Sequence, residues 1–170
     1  DGDMLLAIFA CYLISQDKLA QRTVVGTVMS NIGLLKFGEM SDVHIETTKV
    51  GDRYVLERMR EQGYNLGGEQ SGHITFLDYV PTGDAQLCAV QLLGIMAKTG
   101  LKLSELAAVM KKYPQVLVNV KASQQVKDFL PENRPVQELI AECEAQLGSR
   151  GRVLVRPSGP EPLIRIMLEG

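Results

Sequence analysis

Histidine and cysteine are scarce in this chain of 170 residues: two histidines, His44 and His73, and three cysteines, Cys11, Cys88 and Cys143. An odd number of widely spaced cysteines gives no disulfide framework. It points to free thiols, here in helix-like apolar surroundings, and to a reducing, cytoplasmic setting. With so few histidines, a catalytic cysteine has little support. An excess of positive charge is also lacking. The net charge is -2, so the chain has no basic field for sequence-blind binding of nucleic acid. No apolar run approaches the roughly 18–20 residues that cross a bilayer, and a membrane is not an expected partner. The opening "DGDMLLAIFACYLISQDKLAQ" carries acids where a signal peptide carries positive charge. Internal repeats and low-complexity segments are absent as well.

What is present is an ordinary globular composition, 45% apolar and 22% charged, long enough for one large or two small domains. Up to about residue 112, strand-like and helix-like stretches alternate. "MLLAIFACYLIS" has the density of a buried helix, with Asp3 as its N-cap. "RTVVGTVM" reads as a buried strand and "SNIGLLKFGEM" as a helix capped by Ser30 or Asn31. "VHIETT" is a strand, and "VGDRYVLERMREQGY" a turn and helix capped by Asp52 and stopped by Gly63. "YNLGGEQSGHITFLD" reads as strand, glycine loop, strand. "TGDAQLCAVQLLGIMAKTG" is an amphipathic helix, and "KLSELAAVMKKY" a shorter helix capped by Ser104. Such alternation predicts a parallel or mixed α/β sheet covered by helices. From Pro114 the pattern changes to strand "QVLVNVKA", polar loop "FLPENRP", helix "VQELIAECEAQLG", and two strands, "GRVLVRP" and "PLIRIMLEG", placed to pair as a hairpin. We therefore expect domains at 1–113 and 114–170, the second a small α+β unit. The chain opens inside "DGD" and stops at "LEG" straight after a strand-like run, so we expect a piece of a longer protein.

Three stretches carry candidate chemistry. In "LGGEQSGHI", glycines let backbone approach a ligand, and Glu69, Ser71 and His73 alternate, which on an extended segment places them on one side. A carboxylate beside a hydroxyl suits sugar hydroxyls. The same residues also fit a glycine-rich hairpin whose polar groups face water. In "TTKVGDRYV", Lys49, Gly51, Asp52 and Arg53 sit at a strand-to-helix junction, where a ligand would meet backbone N–H groups and the positive helix end. Taken alone, the stretch reads more simply as an ordinary turn made by Gly51, with Asp52 capping the helix and Arg53 solvated. In "RPSGPEPLIR", Arg156 and Arg165 can fork onto phosphate oxygens, Ser158 and Gly159 offer a hydroxyl and an open N–H, and Glu161 could hold one arginine. A stiff proline-rich hairpin with surface arginines is the alternative. The "DGD" of Asp1–Asp3 lacks the further ligands a magnesium site needs.

Taken together, "VGTVMSNIGL", "KVGDRYVLERM", "GGEQSGHI", "PTGDA" and "RPSGPEPLIRIMLEG" resemble the second half of the α-D-phosphohexomutases, in the same order and over essentially the whole chain. The resemblance implies a mixed-sheet α/β/α third domain and most of a fourth domain, a small α+β unit like the TATA-box-binding protein, without its last helix. It implies that Lys49, Gly51, Asp52, Arg53, Glu69, Ser71 and His73 line the sugar site, and that Arg156, Ser158, Gly159 and Arg165 bind the substrate's phosphate. The likeness is to the bacterial branch that interconverts glucosamine 6-phosphate and glucosamine 1-phosphate for amino-sugar nucleotide and cell-wall precursor synthesis. In that branch a phosphoserine donates its phosphate, a bisphosphate forms and reorients, and magnesium neutralises the transferring group. The phosphoserine and magnesium loops are expected upstream, so no catalytic residue or metal ligand is assigned here, and this piece alone is expected to be inactive. Expected partners are the phosphosugar and the upstream domains, with a homodimer left open because the sequence does not reveal oligomeric state. A phosphomannomutase or phosphoglucomutase of the same superfamily, or a noncatalytic phosphosugar-binding module, are the alternatives. One departure stands out: Pro160 occupies a position where the family usually has threonine, which removes an N–H and a hydroxyl from the phosphate loop.

Overall fold

Thr23–Thr27 forms strand β1, buried at every position. Its adjacent residues Val24 and Val25 are both fully buried, yet they belong to different apolar clusters. Successive side chains of a strand point to opposite faces, so both faces of this sheet must be covered. On one face lie helices α1 (Gly2–Ser15) and α2 (Ile32–Ser41), whose Leu6, Phe9, Leu34 and Phe37 pack with Val24. Ile95 of helix α4 (Ala85–Thr99) joins this cluster. On the other face, Val55 and Met59 of α3 (Asp52–Gln62) pack with Val25 and Tyr64. The result is an α/β/α sandwich around four strands. Strand β2 (His44–Thr48) and strand β3 (Leu66–Gly68) run parallel to β1 on either side of it, and β4 (Ile74–Phe76) pairs antiparallel with β3. The mixed sheet agrees with the alternation of elements in the sequence.

The computed structural model describes residues 1–159 and 161–170, and it falls into two compact units, Asp1–Lys112 and Tyr113–Gly170. The first contains the sandwich just described and ends in a short helix, α5 (Leu103–Leu106), with a 3-10 turn at Ala107–Val109. The second has strand β5 (Gln115–Lys121), helix α6 (Gln124–Phe129), a 3-10 turn at Leu130–Glu132, helix α7 (Arg134–Leu147), and strands β6 (Arg152–Pro157) and β7 (Leu163–Glu169). Its antiparallel sheet has the order β5-β7-β6, with the predicted β6–β7 hairpin in place.

Several local expectations are corrected. Asp1, not Asp3, caps α1, its carboxylate accepting from the Asp3 N–H at 3.0 Å; Asp3 is fully buried in the first turn and accepts from the Asn31 N–H at 2.7 Å. Asp52 is the first residue of α3 rather than its cap, because Gly51 takes the N-cap position at φ 132°, which glycine alone adopts without strain. Ser104 lies inside α5; the cap is Lys102, whose N–H donates to Glu105 Oε2 at 2.7 Å. "FLPENRP" is not a loop. Ser123 caps a short helix that the sequence pattern does not announce, and Pro131 and Pro135 sit in the first turns of the elements that follow, where a missing N–H breaks nothing. Helix α4 is less one-sided than its sequence suggests, since Val90 and Leu93 are exposed.

Candidate functional site

Strands β1, β2 and β3 are parallel, so the segments leaving β2 and β3 emerge at the same edge of the sheet, the edge where α/β sheets place ligands. β1 lies between the two strands, and the segments reach each other past its carboxyl end. Glu69 Oε1 accepts the backbone N–H of Gly51 at 3.0 Å. Gly51 caps α3 without a side chain, so a carboxylate from another loop does what a glutamate does inside a capping box. The positive end of α3 favours that carboxylate further. His73 Nε2 lies 3.7 Å from Asp52 Oδ2. The structure thus brings together Gly51, Asp52, Glu69 and His73.

The route to that convergence differs from the one the spacing implied. Residues 69–73 are not extended: the Gly72 N–H donates to the Glu69 carbonyl at 2.9 Å, Gly72 has φ 99°, and the Glu69 N–H donates to the His73 carbonyl at 2.9 Å. Glu69 and His73 therefore flank the mouth of a tight hairpin, and Ser71 stands exposed at its tip. Lys49 is exposed. Arg53 is turned along its own helix to Glu57, with Nε 2.7 Å from Oε1, and that partner raises its pKa.

Two glycines outside the candidate set shape this hairpin. The Gly2 N–H donates to the Gln70 carbonyl at 2.9 Å, and a side chain at Gly2 would run into the Glu69 carbonyl and stand 2.8 Å from the Gly72 nitrogen. "DGD" is thus a brace: one aspartate caps the helix and the glycine admits the turn. Gly83 faces the His73 imidazole so closely that any Cβ would overlap the ring. The sequence signal was "PTGDA", present as a motif but without a role attached.

In the second unit, Arg156 on β6 and Arg165 on β7 are directly opposite in register. Like charges so placed repel. Nε of each is buried without a hydrogen-bond partner. The Arg156 guanidinium is held below the usual arginine range, first by burial and then by the Arg165 charge. Glu161 partly answers this. Its carboxylate pairs with Arg165 Nη2 and accepts the Ser158 hydroxyl at 3.0 Å, and these two contacts, Arg165 first, hold it below the usual glutamate range. Ser158 is buried, and its N–H is used by the Leu163 carbonyl at 2.8 Å; Gly159 is exposed. The expectation about Pro160 falls outside the described residues.

Among the described residues no three histidine, cysteine, aspartate or glutamate side chains are grouped to hold a metal ion. All three cysteines are free; Cys88 is buried, Cys11 and Cys143 are half-buried, and burial pushes the Cys11 and Cys88 thiols up. No single helix among the described residues is long and apolar enough to cross a membrane.

Two family models match, "Phosphoglucomutase/phosphomannomutase, alpha/beta/alpha domain III" over residues 1–113 and "Phosphoglucomutase/phosphomannomutase, C-terminal domain" over residues 117–170. The chain belongs to this phosphohexomutase family. Curated relatives include the phosphoglucosamine mutases of Geobacillus kaustophilus, 56% identical, and Streptococcus agalactiae, 51% identical, each over 99% of this chain. The chain spans only 37% and 38% of their lengths. Among solved phosphohexomutases, an N-acetylglucosamine-phosphate mutase in its substrate complex superposes with TM-score 0.78 at 22% identity, covering 100% of this chain and 40% of that one. Aspergillus fumigatus N-acetylphosphoglucosamine mutase, solved with GlcNAc-6P and magnesium, gives 0.77 at 16% identity, over 100% of this chain and 43% of that one. These two likenesses establish the shared fold.

Proposed function

We propose that this chain is the substrate-recognition part of a phosphoglucosamine mutase, an isomerase interconverting glucosamine 6-phosphate and glucosamine 1-phosphate. The observation that carries the reading is the Arg156–Arg165 pair: two guanidinium groups held opposite one another, each with a buried, unpartnered Nε, are stabilised by an anion with several acceptor oxygens. A sugar phosphate supplies one. In this reading Arg156, Gly159 and Arg165 take the phosphate, and Ser158, whose N–H is given to Leu163, joins them when its hydroxyl turns from Glu161. Glu69, Ser71 and His73, with the turn of Lys49, Gly51, Asp52 and Arg53, hold the sugar hydroxyls. Glu69 Oε1 is committed to Gly51, which leaves Oε2 for a hydroxyl. His73 is steered by Asp52 and given room by Gly83.

The chemical step, phosphate transfer from a phosphoserine through a bisphosphate, belongs to domains beyond this chain. Magnesium would neutralise charge on the transferring group, but the residues described here do not fit it and no step here runs through it. Partners are then the phosphosugar, the other domains of the same protein and a second copy, in the cytoplasm. The relatives' shared description supports the glucosamine substrate. The family models' own description favours mannose or glucose phosphate as a second reading. Assay of the full-length protein decides between them: turnover of glucosamine 1-phosphate above mannose 1-phosphate is expected, and the reverse order overturns the assignment. Arg156→Ala should cost about 1.5–3 kcal/mol of phosphosugar binding, as for a hydrogen bond to a charged group. Titration calorimetry with glucosamine 6-phosphate measures it, and an unchanged affinity contradicts the phosphate role.

A further inference from the structure

Lys127 is the anomaly of the second unit. Lysine is rarely buried without a partner, yet this one is only 6% exposed on α6, the helix that the sequence pattern did not announce. Its Nζ donates to the Glu161 carbonyl at 3.0 Å and to the Gly159 carbonyl at 3.3 Å, reaching across more than thirty residues of sequence into the loop between β6 and β7. These are main-chain oxygens of the segment that carries Ser158 and Gly159. A carbonyl oxygen turned toward an anion repels it, and a peptide free to rotate presents its oxygen part of the time. Ammonium donation to two carbonyls of one loop fixes both peptides and offsets their partial negative charge. The Glu161 side chain meanwhile reaches Arg165 and Ser158, so the loop is held at its carbonyls by Lys127 and at its side chains by Glu161.

We propose that Lys127 is a positioning residue for anion binding between β6 and β7, holding the Gly159 and Glu161 carbonyls so that Arg156, Ser158, Gly159 and Arg165 meet the phosphate of a sugar phosphate. The proposal rests on the reading that this loop seats phosphate. It assigns Lys127 no contact with the ligand. Removing the ammonium leaves the Gly159 and Glu161 carbonyls without this donor, a cost that falls on the segment carrying Ser158 and Gly159.

The test uses the full chain and glucosamine 6-phosphate as probe, with calorimetric titration of four proteins: the parent, Arg156→Ala, Lys127→Met and Lys127→Arg. Amide spectra check that the β5–β7–β6 sheet is intact. The expected result is a loss of at least tenfold in affinity for Lys127→Met with the sheet retained, near-parental affinity for Lys127→Arg, and weak binding by Arg156→Ala. If Lys127→Met does not fold, Lys127→Ala, which removes the donor with less apolar bulk, replaces it under the same criterion. Weak binding by Arg156→Ala with parental binding by Lys127→Met overturns the Lys127 role and leaves the phosphate reading standing. Parental binding by Arg156→Ala overturns both. Equal loss in Lys127→Arg and Lys127→Met assigns Lys127 to packing alone and also overturns the proposal.

Discussion

At the scale of single residues, the polar loops are shaped by groups that have no side chain. Gly83 leaves space that the His73 ring fills, and Gly2 leaves space for the turn that carries Glu69. Gly83→Ala should therefore displace the imidazole, but that ring is exposed and can swing into solvent, so the cost should stay within about 0.5 kcal/mol. A shifted His73 ring resonance with a nearly unchanged denaturation midpoint would agree; an unmoved ring would contradict the close approach. Residue type alone singles out Glu69, His73 and both arginines as candidates in the sequence. It did not reveal that Glu69 caps α3 from another loop, because the Glu69–Gly51 bond depends on the order of strands in the sheet rather than on spacing along the chain. Lys127 was equally silent: its partners are backbone carbonyls, which carry no signature in a side-chain pattern.

At the scale of elements, legibility followed burial. Strand β1 is buried on both faces, and its valine-threonine run reads as a strand without help from context. Strand β3 is short and glycine-rich, and it was recognisable only through the loop it feeds. Its Gly67 lies against α3, where a Cβ would stand 2.7 Å from Met59 Sδ, 2.9 Å from Val55 Cγ1 and 3.0 Å from the Val25 carbonyl. Gly67→Ala should thus push α3 away from the sheet and destabilise the first unit by about 1–3 kcal/mol. The check is a denaturant melt followed by a probe in the first unit, and an unchanged midpoint would mean that α3 yields freely. Helix α6 has no clear sequence signature because it is six residues long and the prolines after it look like loop punctuation. Prolines in the first turn of a helix and prolines in a loop are alike in sequence; only the hydrogen bonds distinguish them.

At the scale of the whole molecule, the role proposed for this chain is recognition rather than chemistry. Its described residues offer a carboxylate–histidine hairpin at the carboxyl edge of one sheet and an arginine pair in another, with no grouped metal ligands. The most direct test of that account is titration of the chain with glucosamine 6-phosphate while every backbone amide is followed by NMR. The account predicts shifts concentrated in residues 49–53, 69–73 and 156–165, with those at 156–165 reproduced by inorganic phosphate alone. Shifts that avoid these three segments, or no shifts at millimolar ligand, would contradict it.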